Sequence, residues 1–317
     1  MAFCAHSSFN PSKDIPDLSG KIIIVTGGSS GLGKETALQL SAHSPSKIYL
    51  CARSPSKAQQ AITSIKSTVP NANIVFLPLD LSSLISVKTA ASKFLAENTR
   101  LDILINNAGI MAVPPGLTED GYEIQFQTNY LGHALFTQLL LPLLLSTSNS
   151  SDVRIVNISS IGVHLAPKSG LVLEKVNTDM RDGFSTWELY GQSKLANVLF
   201  TKYLADSFPS IKSVAVHPGG VRTDLKRGIE ESYGVLGKMG VWATRWLMQD
   251  VKKGVVGQLW ATVGKSEEVK SGSFYFPVAK VHVGSEVKRD ERLVGELWEW
   301  TEKVFREGGW VSRGLLA

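Results

Sequence analysis

Short runs that are apolar on consecutive positions alternate along the chain with longer stretches whose apolar residues recur every three or four positions. Runs such as Ile22-Ile23-Ile24-Val25 and Ile103-Leu104-Ile105 leave no polar face, which suits strands covered by helices on both sides. The pattern predicts strands over Lys21–Thr26, Lys47–Cys51, Ile74–Leu79, Asp102–Ile105, Val153–Ile158, Ser213–Val216 and Ser273–Phe276. Between them it predicts helices over Gly33–Ser41, Ser56–Ser67, Ser83–Glu97, Tyr122–Leu144, Thr186–Phe208 and Lys253–Thr262. Strand and helix in strict alternation imply an α/β fold, a doubly wound seven-stranded parallel sheet with helices on both faces. No repeat or low-complexity linker divides the 317 residues, so one domain is expected, preceded by an extension over 1–20. Two segments, 161–185 and 225–250, are long for connections in a compact domain, and such segments are often functional.

Composition narrows the class. Hydrophobic residues make up 43% of the chain and charged ones 19%, enough apolar material for a large core. Thirty-three Lys and Arg against 28 Asp and Glu leave a net charge of +5 with no basic block, which argues against nucleic acid as partner and fits an anionic small molecule. Two cysteines, Cys4 and Cys51, cannot build a disulfide framework, and scattered histidines give no metal-ligand spacing. His133, His164 and His217 are read as packing residues. The most apolar stretch, Ala134–Leu145, carries Gln138 and Pro142 and falls short of the ~20 residues a membrane span needs. The start has no basic region followed by an apolar one. A cytoplasmic protein without an integral span is the expectation.

Chemistry first shows at the end of the first strand. Thr26-Gly27-Gly28-Ser29-Ser30-Gly31-Leu32-Gly33 lies between strand and helix, where glycines let the backbone turn sharply and approach a pyrophosphate held at the helix N-terminus. This is a Rossmann-type nucleotide cradle, for which Gly27, Ser29, Ser30, Gly31, Leu32 and Gly33 are the candidate contacts. The second strand then discriminates between nucleotides. An acidic residue about 20 positions on would bond a ribose 2′-hydroxyl, but no Asp or Glu stands between Glu35 and Asp80. Arg53 and Lys57 stand there instead, and a guanidinium matches a 2′-phosphate in charge and geometry. NADP(H) is therefore the expected cofactor. Further on, Tyr190 and Lys194 lie four apart on one helix face, behind the capping-box sequence Ser185-Thr186-Trp187-Glu188. An ammonium about 4 Å from the phenol would lower its pKa by roughly 3 units from ~10.

Taken together, these motifs with Asp80-Leu81, Asn106-Asn107-Ala108-Gly109, Asn129, Ile158-Ser159-Ser160 and His217-Pro218-Gly219 occur in an order that resembles the short-chain dehydrogenase/reductase family over nearly the whole chain. The likeness is greatest to its retinol-dehydrogenase-like branch, and the tail around Leu297-Trp298-Glu299-Trp300-Thr301 is similar to filamentous-fungal members. The resemblance implies a set of roles. Tyr190 would be the acid or base at the substrate oxygen, with Lys194 depressing its pKa and bonding the nicotinamide ribose. Ser160, or less favourably its neighbour Ser159, would donate to that oxygen, and Asn129 would hold a water that links Lys194 to solvent. Asp80 and Leu81 would lie at the adenine, Asn107, Ala108 and Gly109 along its ribose, and Pro218, Gly219, Val221 and Thr223 at the nicotinamide. Helices Tyr122–Leu144 and Thr186–Phe208 resemble the family's dimer interface, which implies a homo-oligomer.

The expected function is hydride transfer between NADP(H) and a carbonyl or alcohol of a bulky apolar small molecule, such as a secondary metabolite. A non-oxidative enzyme on the same fold, or an NADPH-binding regulatory protein, is the alternative. The intact Asn129, Ser160, Tyr190 and Lys194 set favours redox chemistry. The thirty residues from Ser160 to Tyr190 place the 161–185 insertion beside the site. In the other long segment, Tyr233, Leu236, Met239, Trp242, Trp246 and Met248 suit a mostly helical lid over an apolar substrate, with glycines as hinges; a helix lying on a membrane surface is the rival reading.

Overall fold

A computed structural model describes residues 9–222, 228–234, 248–277, 280–281 and 290–311. Seven parallel strands form one sheet: β1 (Ile22–Thr26), β2 (Lys47–Ala52), β3 (Ile74–Pro78), β4 (Ile103–Asn106), β5 (Arg154–Ile158), β6 (Lys212–Val216) and β7 (Phe274–Phe276). Their spatial order is β3-β2-β1-β4-β5-β6-β7, and a two-residue strand, β8 (Lys280–Val281), adds an antiparallel edge beyond β7. The chain reverses its direction of winding between β3 and β4, so a crevice opens where the C-terminal ends of β1 and β4 diverge.

Alternation along β1 explains the two helical layers. Ile24 points into one apolar core and Ile23 and Val25 into the other, all three fully buried. Helices α1 (Gly31–Ser41), α2 (Pro55–Thr68) and α6 (Val251–Val263) supply residues such as Leu40, Ile65 and Trp260 to the second core. Helices α3 (Leu84–Glu97), α4 (Ile124–Ser148) and α5 (Thr186–Ser207) line the first with residues such as Phe94, Leu140 and Leu199. Side-chain caps set the starts: Ser54 accepts from Lys57 N at α2, Ser83 from Ser86 N at α3, and the Ser185–Glu188 capping box opens α5.

Three features go beyond the pattern of apolar positions. Helix α4 both begins and ends a little later than predicted, and at 25 residues it is long and apolar enough to cross a bilayer; 67% of its most apolar window is buried inside the protein, as in a core helix. It contains a π-turn, Gln127–Leu131, that carries Asn129. A final helix, α7 (Glu291–Glu307), lies across α4 and α5. Its Trp298 stacks on Tyr203 at 4.0 Å, and Thr301 bonds the Tyr130 hydroxyl at 2.6 Å.

Segment 161–185 belongs to the packed interior. It forms 3-10 turns at Ile161–Leu165 and Leu173–Lys175, and its Leu171, Val172, Val176 and Met180 join the first core. Gln192 of α5 accepts from Val172 N at 2.8 Å, and Glu123 N donates to Val176 O at 2.7 Å. Of the expected lid, 228–234 is a helical turn, while Leu236, Met239, Trp242 and Trp246 lie outside the described residues. Its two flanks meet: Gln249 N donates to Gly220 O and Arg222 N to Gln249 O.

Candidate active site

The glycine turn joins β1 to α1 at the sheet's C-terminal edge. Gly27 and Gly31 have φ of +65° and +53°, a left-handed conformation that disfavours any side chain. A Cβ on Gly27 would stand 2.9 Å from Ala108 Cα, and one on Gly33 only 2.4 Å from Gly27 O. The turn is thus pressed against the Asn107–Gly109 loop after β4. Ser30 is the N-cap of α1, is exposed, and its side chain makes no capping bond. Ser29 and Leu32 flank it half-buried. The α1 N-terminus therefore presents N–H groups and the positive end of its dipole to the crevice.

The remaining cofactor candidates border the same crevice. Arg53 and Lys57 are exposed just past β2, and neither forms an ion pair among the described residues. Asp80, half-buried after β3, accepts from Ser82 N and Oγ at 3.0 and 2.6 Å, while Leu81 is buried against Gly132. Asn107 donates to Thr26 O at 2.8 Å, so its side chain braces the turn. Gly109 lies beside both Asn129 and Lys194, where a Cβ would come 3.0 Å from Asn129 Oδ1 and 3.3 Å from Lys194 Nζ. Pro218, Gly219 and Val221 follow β6, with Val221 paired to Gln249. Thr223 lies outside the described residues.

The four reacting candidates converge from three elements. Tyr190 and Lys194 are both buried on α5, with Lys194 Nζ 5.8 Å from the Tyr190 ring centroid. Ser160 caps the turn after β5; its Oγ accepts from Gly162 N at 3.0 Å and, with the Tyr190 ring, adjoins the point where a Gly162 Cβ would stand. Ser159 instead turns away and donates to Lys194 O at 2.8 Å, so Ser160 is the serine that faces the phenol. Asn129 makes three bonds: Oδ1 accepts from Ile110 N, and Nδ2 donates to Ile110 O and to Ser193 Oγ.

The electrostatics differ from the expectation that Lys194 lowers the phenol. Burial pushes the Tyr190 hydroxyl up to about 12, and the neighbouring Ser160 only partly opposes this. Burial also brings Lys194 down to about 8, and its ammonium donates to Ile158 O at 3.0 Å. With the cation turned toward the end of β5, loss of solvation dominates at the phenol. Tyr190 is thus held as a neutral hydrogen-bond donor at neutral pH.

With this arrangement in place, comparison with known proteins identifies the lineage. A family model described as short chain dehydrogenase matches residues 21–234. The chain belongs to the short-chain dehydrogenase/reductase family. It is 40% identical over 301 residues to an uncharacterized oxidoreductase of Schizosaccharomyces pombe, covering 93% of this chain and 87% of that protein. A short-chain dehydrogenase/reductase of Aspergillus calidoustus is 37% identical over 311 residues, 92% of this chain and 96% of the relative. Among solved structures, an uncharacterized protein from Mycobacterium Paratuberculosis superposes with a TM-score of 0.71 at 28% identity, covering 94% of this chain and 97% of that one. A short chain dehydrogenase from Shigella flexneri 2A complexed with NADP has the same fold, with TM-score 0.62, 23% identity and 82% and 98% coverage.

Within this short-chain dehydrogenase/reductase, two histidines differ in their settings. His164 lies exposed on the 3-10 turn, contrary to a core role, because the turn spends its buried positions on Gly162 and Val163. His217 packs at the strand end as expected, its ring 5.1 Å from Phe276. Thr26 and His133 carry more of the site than the sequence indicated, since a buried hydroxyl or imidazole acquires its partners only when β1, β4 and α4 meet. Gly162 and Gly191 are similar: Tyr190 Cε1 stands 2.7 Å from where a Gly162 Cβ would be.

Proposed function

We propose that the protein is an NADPH-dependent carbonyl reductase for a bulky apolar small molecule. The observation that carries this reading is the buried Tyr190 hydroxyl, kept protonated, beside Ser160 and one helical turn from Lys194. A proton donor at that point is what a carbonyl oxygen needs as it gains charge. The residues of the crevice fit a dinucleotide: a turn that a Cβ would block, an uncapped helix N-terminus for the pyrophosphate, and Arg53 with Lys57 for a 2′-phosphate. When bound, NADPH supplies the hydride. The chain's own residues do the rest. Ser160 aligns the substrate oxygen beside Tyr190, which releases its proton to that oxygen. Lys194, a cation at neutral pH, stabilises the phenolate left behind, and Asn129 holds the Ile110 loop against α5 so that Gly109 leaves the ammonium room.

Apolar surface beside this point supports the substrate class. Ile161 and Leu165, on the turn that follows Ser160, are 54% and 46% exposed, and the Trp187 ring stands edge-on to Tyr190 at 6.4 Å. Tyr233 of the 228–234 turn bonds Thr186 at 2.8 Å, bringing the proposed lid to the same helix end. The test is a panel of apolar aldehydes and ketones assayed by loss of NADPH absorbance, with titration of NADPH and NADH in parallel. Turnover of a member of the panel is expected, with NADPH bound more tightly than NADH; Arg53→Ala should weaken NADPH by more than about tenfold and leave NADH unchanged. Equal affinity of the wild type for both nucleotides would overturn the cofactor assignment, and binding without any turnover would favour the regulatory alternative.

A further inference from the structure

Helix α4 buries against the end of β1 an imidazole whose partners leave one protonation state. His133 Nδ1 is 3.0 Å from Asn129 O, and a carbonyl can only accept, so Nδ1 carries a proton. His133 Nε2 is 2.8 Å from Thr26 Oγ1. That hydroxyl already accepts from Asn107 N at 2.9 Å and Ala108 N at 3.0 Å, which fills both its lone pairs. A third donor would have nowhere to bond, so Nε2 is unprotonated and the Thr26 hydroxyl donates to it; the alternative acceptor, Ile105 O, is more distant at 3.4 Å. Full burial also depresses the basicity of this ring, to about 3, with Lys194 nearby adding to the effect and the bond to Asn129 opposing it.

The resulting chain runs from the Asn107 and Ala108 N–H groups through the Thr26 hydroxyl and His133 to the Asn129 carbonyl. It crosses from the turn that faces a pyrophosphate to the π-turn that carries Asn129. The same carbonyl is the end of a peptide whose side chain grips Ile110 on both N–H and C=O. We propose that His133, as the neutral Nδ1–H tautomer, is a positioning residue that holds the glycine turn and the Asn129 π-turn in register, so that nucleotide binding and the reacting end share one anchor. The ring itself touches neither cofactor nor substrate. Its effect comes from fixing the direction of the Thr26 proton, which leaves that oxygen free to accept from both loop N–H groups.

This inference rests on the dinucleotide reading of the turn, and two measurements separate their fates. The first needs no ligand: nitrogen-15 correlation spectra of the wild-type protein across pH 5–8 should show His133 neutral, with the proton on Nδ1, the less common tautomer. A proton on Nε2, or a charged ring in that range, overturns the proposal whatever the turn binds. The second is NADPH affinity by fluorescence titration. His133→Phe removes both bonds and should weaken NADPH by about fivefold, the loss of one net hydrogen bond. His133→Gln, whose amide oxygen can accept from Thr26, should recover most of that loss at an unchanged melting temperature relative to the Phe variant. A folded Phe variant with wild-type affinity, or equal losses in Phe and Gln, contradicts the positioning role. Should the wild type bind no nucleotide while showing the Nδ1 tautomer, the cofactor reading fails and the hydrogen-bond chain stands.

Discussion

Glu123 places a carboxylate at the start of α4 with none of its surface exposed, where Gln125 N and Phe126 N are its hydrogen-bond donors. Burial outweighs those two bonds and raises it from 4.5 to about 7. Its folded-state pKa lies above the unfolded value, so the folded chain holds the proton more tightly, and stability is greatest below pH 4.5 and declines as pH rises to 7. Glu123→Gln removes this term. Relative to wild type, the variant should gain up to about 3 kcal/mol between pH 5 and pH 8, read from urea unfolding at both pH values; a pH-independent difference would refute it. Such shifts mark the limit of reading residues from sequence. The four-residue spacing of Tyr190 and Lys194 was legible, and so was the absence of an acidic residue near Arg53. The direction of the Tyr190 shift was not, because it depends on how completely α5 is covered and on Lys194 pointing to Ile158.

Elements tell a parallel story about segment 161–185. Its length was evident, but its packing depends on two glycines that face each other across helix and turn. A Cβ on Gly191 would stand 2.5 Å from Ala166 N and 2.6 Å from Leu165 C, backbone atoms that cannot rotate aside. Gly191→Ala should therefore cost about 1–3 kcal/mol as an overpacked contact and displace the neighbouring Tyr190. Gly295→Ala in α7, where nothing lies within 4 Å of the added carbon, should instead stabilise by up to about 1 kcal/mol. Thermal or urea unfolding of the pair checks the signs, and equal effects would deny the close contact. The strands were found within a residue or so because unbroken apolar runs fit only a sheet covered on both faces. Helix α7 was overlooked despite a clear signature, namely an Asp290 cap and inward positions Leu293, Leu297, Trp298, Thr301 and Phe305. Strand–helix alternation does not call for it, since no strand follows.

At the scale of the whole molecule, α7 changes what the fold presents to others. Phe126 and Tyr130 of α4 and Phe200 and Tyr203 of α5 pack against its Trp298, Trp300 and Thr301, so one side of these two helices is covered within the chain. The C-terminal edge of the sheet gathers the crevice: β1 and β4 bring the glycine turn to the Asn107 loop, β5 delivers Ser160, and α5 delivers Tyr190 and Lys194. Parallel topology puts all these ends on one side, which is why motifs scattered over more than half the sequence can form one site. Proton donation by Tyr190 in NADPH-dependent carbonyl reduction is the role that this convergence supports. Its most direct test is Tyr190→Phe, measured for NADPH affinity by titration and for single-turnover oxidation of bound NADPH with the carbonyl compound that the wild type reduces. Unchanged affinity with a rate at least about a hundredfold lower is the expected result; a Phe variant that turns over at the wild-type rate would show that the phenol is not the proton donor.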